Sequence, residues 1–151
     1  MPGSRTHDNA LPIEEERRVY FEGIRLFNAG DFFEAHDAWE EIWSRVQDRR
    51  RERFYRAIIR GAVTLELLRR GRAVGVRQVY VDCQETFAGL PEVFMGLDIP
   101  AYLAALRRAI EPTLADMHAT SVAIEPGRLF QIRLAYDPFE ASRNGEGLAQ
   151  A

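Results

Sequence analysis

Lysine is missing from this sequence altogether. All 20 basic residues are arginine, set against 23 acidic residues for a formal net charge of −3. The absence excludes Schiff-base chemistry on a lysine amine and any phosphate loop that relies on a lysine. A near-neutral total argues against a chain built wholly for nucleic acid. Cysteine is reduced to one residue, Cys83, so no intramolecular disulfide can form. Apolar runs are short, well under the roughly 18 residues that a membrane span needs. Met1–Ala10 has no apolar signal core. The expectation is a cytoplasmic protein without membrane contact. Also missing are a glycine-rich phosphate loop, a Gly-x-Ser-x-Gly elbow and a Cys-x-x-Cys pair. Neither a cofactor nor a bound metal is expected.

What is present is helical periodicity. The 151 residues suit one domain. Pro12 opens a first helix, Glu14, Glu15 and Glu16 complement its positive end, and Asn28-Ala29-Gly30 stops it. Asp31 and Glu34 form an Asp-x-x-Glu capping pattern for a second helix, whose apolar face runs through Phe32, Ala35, Trp39, Ile42 and Val46. A third helix spans about Arg49 to Arg70 and a fourth about Ala73 to Phe87. Cys83 lies in the buried stripe of the fourth, where a cysteine acts as a small hydrophobe. A fifth starts near Asp98 and Pro100, and Pro112 should kink or end it. Beyond Ala119, Phe130, Ile132, Leu134 and Tyr136 alternate with Gln131, Arg133 and Ala135, a strand-like period of two. A lone strand is unstable in water, so this segment either packs as an extended arm or pairs with another chain. The reading is an all-α, single-domain bundle of about five helices with an extended C-terminal segment. Residues 11–119 form the helical domain and 120–141 the arm; 1–10 and 142–151 are expected to be disordered tails. A homo-oligomer, formed through the arm, is expected.

The second helix carries the chemistry. His36 lies inside the arc set by Phe32, Trp39 and Trp43, and Glu40 follows one turn on. A His and a Glu at that spacing can act as a base with its orienting carboxylate, or share a metal. The tryptophans would wall a pocket, and Tyr55 or Glu66 on the third helix could complete the group. The competing reading is structural, since buried polar groups must find partners and this cluster supplies them. Two ligands are too few for a metal, and His7 and His118 lie elsewhere.

The stretch Phe27-Asn28-Ala29-Gly30-Asp31-Phe32-Phe33-Glu34-Ala35-His36-Asp37-Ala38-Trp39-Glu40-Glu41-Ile42-Trp43 resembles the signature of the prokaryotic "domain of unknown function 309" family. Phe54–Ala62 resembles that family's next helix, and Arg70-Gly71-Arg72 its following turn. The resemblance implies an all-helical domain with no established activity, and marks Glu34, His36, Asp37, Glu40 and Trp43 as motif positions. This sequence departs from the pattern at Asp37 (glutamate is usual), Arg60 (glutamine), Arg72 (asparagine) and Glu66-Leu67, where many members carry a histidine.

Charge is segregated. Seven arginines and two acids lie between Arg45 and Arg60, whereas nine acids and three arginines lie between Glu14 and Glu41. One reading makes Arg49, Arg50, Arg51 and Arg53 an anion patch. The other pairs them with the acidic face of helix two. Three functional readings stay open: a module that binds a protein or small ligand, a hydrolase-like or metal-assisted enzyme built on His36 and Glu40, and anion or nucleic-acid binding, with nucleic acid the less favoured ligand.

Overall fold

A computed structural model describes residues 10–140. The expected tails fall outside this range except for Ala10, as does residue 141 of the arm. Helix α1 (Ile13–Asn28) buries the i, i+3, i+4, i+7 series Glu16, Val19, Tyr20, Gly23, Ile24 and Phe27. It ends in a Schellman motif: Gly30 N–H donates to Phe27 O at 2.9 Å and Asp31 N–H to Leu26 O at 2.9 Å. Helix α2 (Phe32–Trp43) follows at once. Asp31 occupies its N-cap position but makes no side-chain cap bond, contrary to the capping pattern read from the sequence. Its ψ of 69° lies outside the extended region from which a cap side chain reaches the next turn, and its own amide is already closing α1.

Helix α3 (Arg49–Arg69) is capped as α2 is not. Asp48 Oδ1 accepts from the amides of Arg50 and Arg51, both at 2.9 Å. It closes with the same motif as α1, through Gly71 N–H to Leu68 O and Arg72 N–H to Leu67 O. Helix α4 (Ala73–Phe87) returns along it. The two hairpins pack through α2 and α3 around Trp39, Tyr20, Phe27, Phe54 and Tyr55, all essentially without exposure. Trp39 sits in the notch left by Gly23, where a Cβ would come within 2.0 Å of the indole nitrogen, and it donates to Tyr20 O at 3.1 Å.

The connection after α4 holds a feature with no sequence signal behind it. Strands β1 (Val93–Phe94) and β2 (Leu97–Asp98) form a two-residue hairpin whose turn residues, Met95 and Gly96, have φ of 53° and 77°. Two positive φ values in a two-residue loop match a type I′ turn, which favours Asn-Gly. Here Met95 is held by burial and by its carbonyl, which accepts from Tyr20 Oη at 2.8 Å. Helices α5 (Ile99–Ala109) and α6 (Glu111–Ala115) take the place of the single fifth helix, broken ahead of Pro112 as its missing N–H requires.

The C-terminal segment is extended and packs on its own chain. It forms no strand among the described residues apart from a bridge between Arg72 and Ser121. Asn28 reads the backbone of Ile132 with both ends of its amide, accepting from its N–H at 2.7 Å and donating to its carbonyl at 3.0 Å. Arg17 pairs with Asp137 at 2.7 Å, and Ala135 N–H donates to Gly96 O at 2.8 Å. The two-residue period has a cause as far as residue 135: Ile132 is buried, Phe130 and Leu134 pack on the core, and Gln131, Arg133 and Ala135 face out, whereas Tyr136, expected on the inner face, is 52% exposed. Gly96 is therefore pinned twice, by its φ and by Tyr136 O, which lies 2.4 Å from where a Cβ would sit. The Gly96→Ala variant is expected to lose about 2 kcal/mol or more of stability, read as a lowered urea midpoint. An unchanged midpoint would contradict this account of the turn.

Candidate functional site

The structure distributes the sequence-read site residues over three separate places. The first is a cluster that the sequence reading missed. Glu16, on the core face of α1, is 1% exposed. Its carboxylate takes a two-point contact from Arg51 (Nε at 3.1 Å, Nη2 at 2.5 Å) and a hydrogen bond from Tyr55 Oη at 2.8 Å. An unpaired buried carboxylate costs several kcal/mol; a planar fork and a phenol together satisfy it. Burial, and next the Glu16 charge, push the Tyr55 hydroxyl well above its ordinary value. Tyr55 is thus a neutral donor locked in the core, where it completes no group with His36. The clue was available: Glu16 shares the face of Val19, Tyr20 and Gly23, although as one of three consecutive glutamates it reads as a partner of the helix dipole.

The second place is a shallow pocket of about 170 Å³ between α2 and α3, lined by Phe33, His36, Val63, Glu66, Leu67 and Arg70. Two of the sequence-read residues, His36 and Glu66, do meet here. His36 Nδ1 is 3.0 Å from Phe33 O, which orients the ring, and Nε2 is 3.6 Å from Glu40. Glu66 is held by Arg69 at 2.6 Å and Arg70 at 2.6 Å. Burial works to raise the Glu66 carboxyl, but hydrogen bonds from the two arginines outweigh it and hold it below the ordinary carboxylate range.

Glu40 and Trp43 belong to the next depression along the same α2/α3 seam, with Arg56, Ile59 and Arg60. Trp43 donates its indole N–H to Glu52 and so fastens the end of α2 to the start of α3. Trp39 walls no pocket, because it is core. Glu34 and Asp37 are exposed and stand outside both depressions. No serine, threonine or cysteine lines either depression. Burial pushes the Cys83 thiol up to about 12 and it donates to Ala57 O, so it is not a thiolate nucleophile. Among the described residues no three His, Cys, Asp or Glu side chains are grouped to hold a metal ion.

The third place is the arginine run. Arg51, Arg53 and Arg56 find their partners away from the acidic face of helix two. Arg51 goes to Glu16 of α1, Arg56 to Glu52 within α3, and Arg53 to carbonyls at the end of α4. Sequence proximity suggested α2, but residues 51 and 53 point to opposite flanks of α3, where α1 and α4 lie.

With the fold and its seam defined, the class is a mostly helical bundle with a groove of mixed apolar and polar lining between its second and third helices. Residues 20–79 match the model of the family described as "Domain of unknown function (DUF309)", so the resemblance read from Phe27–Trp43 holds over that stretch. An "Uncharacterized protein" of Aquifex aeolicus (strain VF5) is 30% identical over 96 residues, which covers 62% of this chain. The chain corresponds to only 29% of that relative's length.

The Glu66 carboxylate has a pH consequence with a definite sign. Its folded-state value is lowered, so its stabilising effect is present above the unfolded-state carboxylate value and is lost as pH falls through the folded value. The wild-type protein is expected to exceed Glu66→Gln in stability at neutral pH, with the gap closing on acidification below the ordinary carboxylate range. Urea titrations at several pH values read this; a gap independent of pH would contradict it. In the same assay Tyr55→Phe is expected to cost about 1–2 kcal/mol, because the buried Glu16 loses a donor.

Proposed function

We propose that this chain is a binding module that seats a small, largely apolar carboxylate in the Phe33–His36–Leu67 pocket. One observation carries this reading: Phe33 is 45% exposed, beside a floor of Val63 and Leu67, at the mouth of a preformed recess. A large aromatic left in water next to an apolar recess is a standing hydrophobic contact without an occupant. The polar lining of the recess is the buried Glu66, the half-buried His36 and the exposed Arg70. Arg70 gives Nε to Glu66, which leaves its terminal nitrogens for an anionic head group. Cavities of about 150 Å³ accept benzene, so a recess of about 170 Å³ suits a benzoate-sized ligand. Glu40, the partner that the hydrolase-like alternative gives His36, belongs to the next depression and its carboxylate is 3.6 Å from Nε2, beyond hydrogen-bond reach, which favours binding. We take the protein as cytoplasmic, supported by its single, buried thiol. No helix among the described residues is long and apolar enough to cross a membrane.

The ligand is small, so affinity should be modest, with Kd of about 0.1–1 mM. Benzoate and hexanoate, followed by amide chemical shifts in the full chain, are expected to perturb residues around 33, 36, 63 and 67. Arg70→Gln and Phe33→Ala should each weaken binding about fivefold or more; the melting temperature should hold in Phe33→Ala and fall slightly in Arg70→Gln, where Glu66 keeps only Arg69. The reading fails if acetate binds as well as benzoate, or if neither variant changes the titration.

A further inference from the structure

The arginine run leaves a charge that the fold does not use, and it faces a cleft. The first two turns of α3 and the turn after α4 enclose about 510 Å³, lined by Arg49, Arg50, Glu52, Arg53 and Arg56 with Ala88–Leu90 opposite. That volume falls in the range of small-molecule sites.

The wall opposite the arginines is rigid. Ala88 (φ −62°, ψ 137°) and Gly89 (φ 95°) form the centre of a type II turn closed by Leu90 N–H to Phe87 O at 3.1 Å. Arg53 ties this turn to α3 by donating to Thr86 O at 2.7 Å and Ala88 O at 3.0 Å. These bonds fix the guanidinium, yet carbonyl oxygens do not neutralise it, and its second terminal nitrogen has no partner among the described residues. Arg50 lies 5.2 Å over the Phe94 ring, again held without a carboxylate. Arg49 has no partner among the described residues. Asp48 caps the helix through the amides of Arg50 and Arg51 and is not among the residues that line the cleft. Glu52 is the one carboxylate in the lining, and it is shared with Trp43 and Arg56.

From this we infer that the α3/α4 cleft is a binding site for a diphosphate group, free or carried on a small molecule. Four guanidinium groups against one carboxylate match a ligand of about three negative charges. A diphosphate meets that need, whereas a lone carboxylate or orthophosphate does not. Forked donors suit phosphate oxygens. The arginines converge on a concavity, and the one aromatic ring present lies under Arg50, so it offers no stacking platform for single-stranded nucleic acid. The site is separate from the Phe33 pocket and stands whether or not that pocket binds a carboxylate.

The test is a calorimetric titration of the full chain with inorganic pyrophosphate, a nucleoside diphosphate and orthophosphate, at low and raised salt. Pyrophosphate and the nucleoside diphosphate should bind more tightly than orthophosphate, and more weakly at raised salt. The double variant Arg49→Gln/Arg50→Gln should lose tenfold or more; both side chains are exposed, so the fold should survive. Arg107→Gln/Arg108→Gln, exposed arginines on α5, should leave binding unchanged. Equal affinity for the two diphosphates would make the free group the ligand, and a preference for the nucleoside form would make it the carried one; either supports the site. No binding at low salt, an equal loss in the α5 control, or binding confined to oligonucleotides or acidic peptides would overturn it.

Discussion

The buried contact among Glu16, Arg51 and Tyr55 sets the geometry on which the other elements rely. A carboxylate at 1% exposure has no water to fall back on, so its two partners must be where they are or the ion is stranded. Arg51 is in the first turn of α3 and Tyr55 one turn further on, while Glu16 is in the first turn of α1. These bonds therefore fix both the crossing of the two helices and their relative register. Trp39 fits the Gly23 notch only with α1 in that position, and α2 is carried along by its three-residue link to α1. The Asp48 cap contributes from the other side, because it fixes the turn from which Arg51 departs.

With α1 and α3 fixed, the surface between α2 and α3 becomes a consequence of register. Phe33, His36, Glu40 and Trp43 recur along α2 at three- or four-residue spacing and meet Arg70, Glu66, Ile59 and Arg56 running the opposite way on α3. The histidine and its glutamate are thus one stretch of a seam lined by both apolar and charged side chains. His36 takes its orientation from the carbonyl of Phe33 within its own helix, which needs nothing from the rest of the fold. That arrangement suits a residue that presents a ring nitrogen to an occupant of the seam rather than one that clamps two helices together.

The sequence showed what is periodic and hid what depends on azimuth and on distant backbone. Four long helices were legible because their apolar stripes recur at helical spacing and glycines mark two of their ends. The break at Pro112 was legible from the missing amide. Glu16 was not, since two neighbouring glutamates supplied a local reason for its presence. The direction of the arginines was misjudged for a related reason: a run of like charges gives the count, but each step of about 100° sends the next side chain to another flank. The Met95-Gly96 turn carried no Asn-Gly or Asp-Gly signal, because tertiary burial of Met95 supplies what turn propensity lacks. The arm's alternation was plain, yet its anchor was invisible. Asn28 read as a helix stop, and nothing local says that its amide grips a backbone 104 residues away.

The missing lysine gains a physical reason at three positions. Arg51 meets one carboxylate with two nitrogens of a planar fork, Arg53 spreads over several carbonyls of a turn, and Arg50 lies flat over a ring. A single ammonium could match the charge at each position, but not the two-point or face-on geometry. The guanidinium also tolerates partial burial better than a strongly hydrated ammonium, which matters where α1, α3 and α4 converge. Arginine serves here as a structural connector first. The cleft charge is what is left when the connecting is done: Arg51 is neutralised by Glu16, Arg53 is immobilised but not neutralised, and Arg49 and Arg50 are placed by the same helix turn with no carboxylate to meet them.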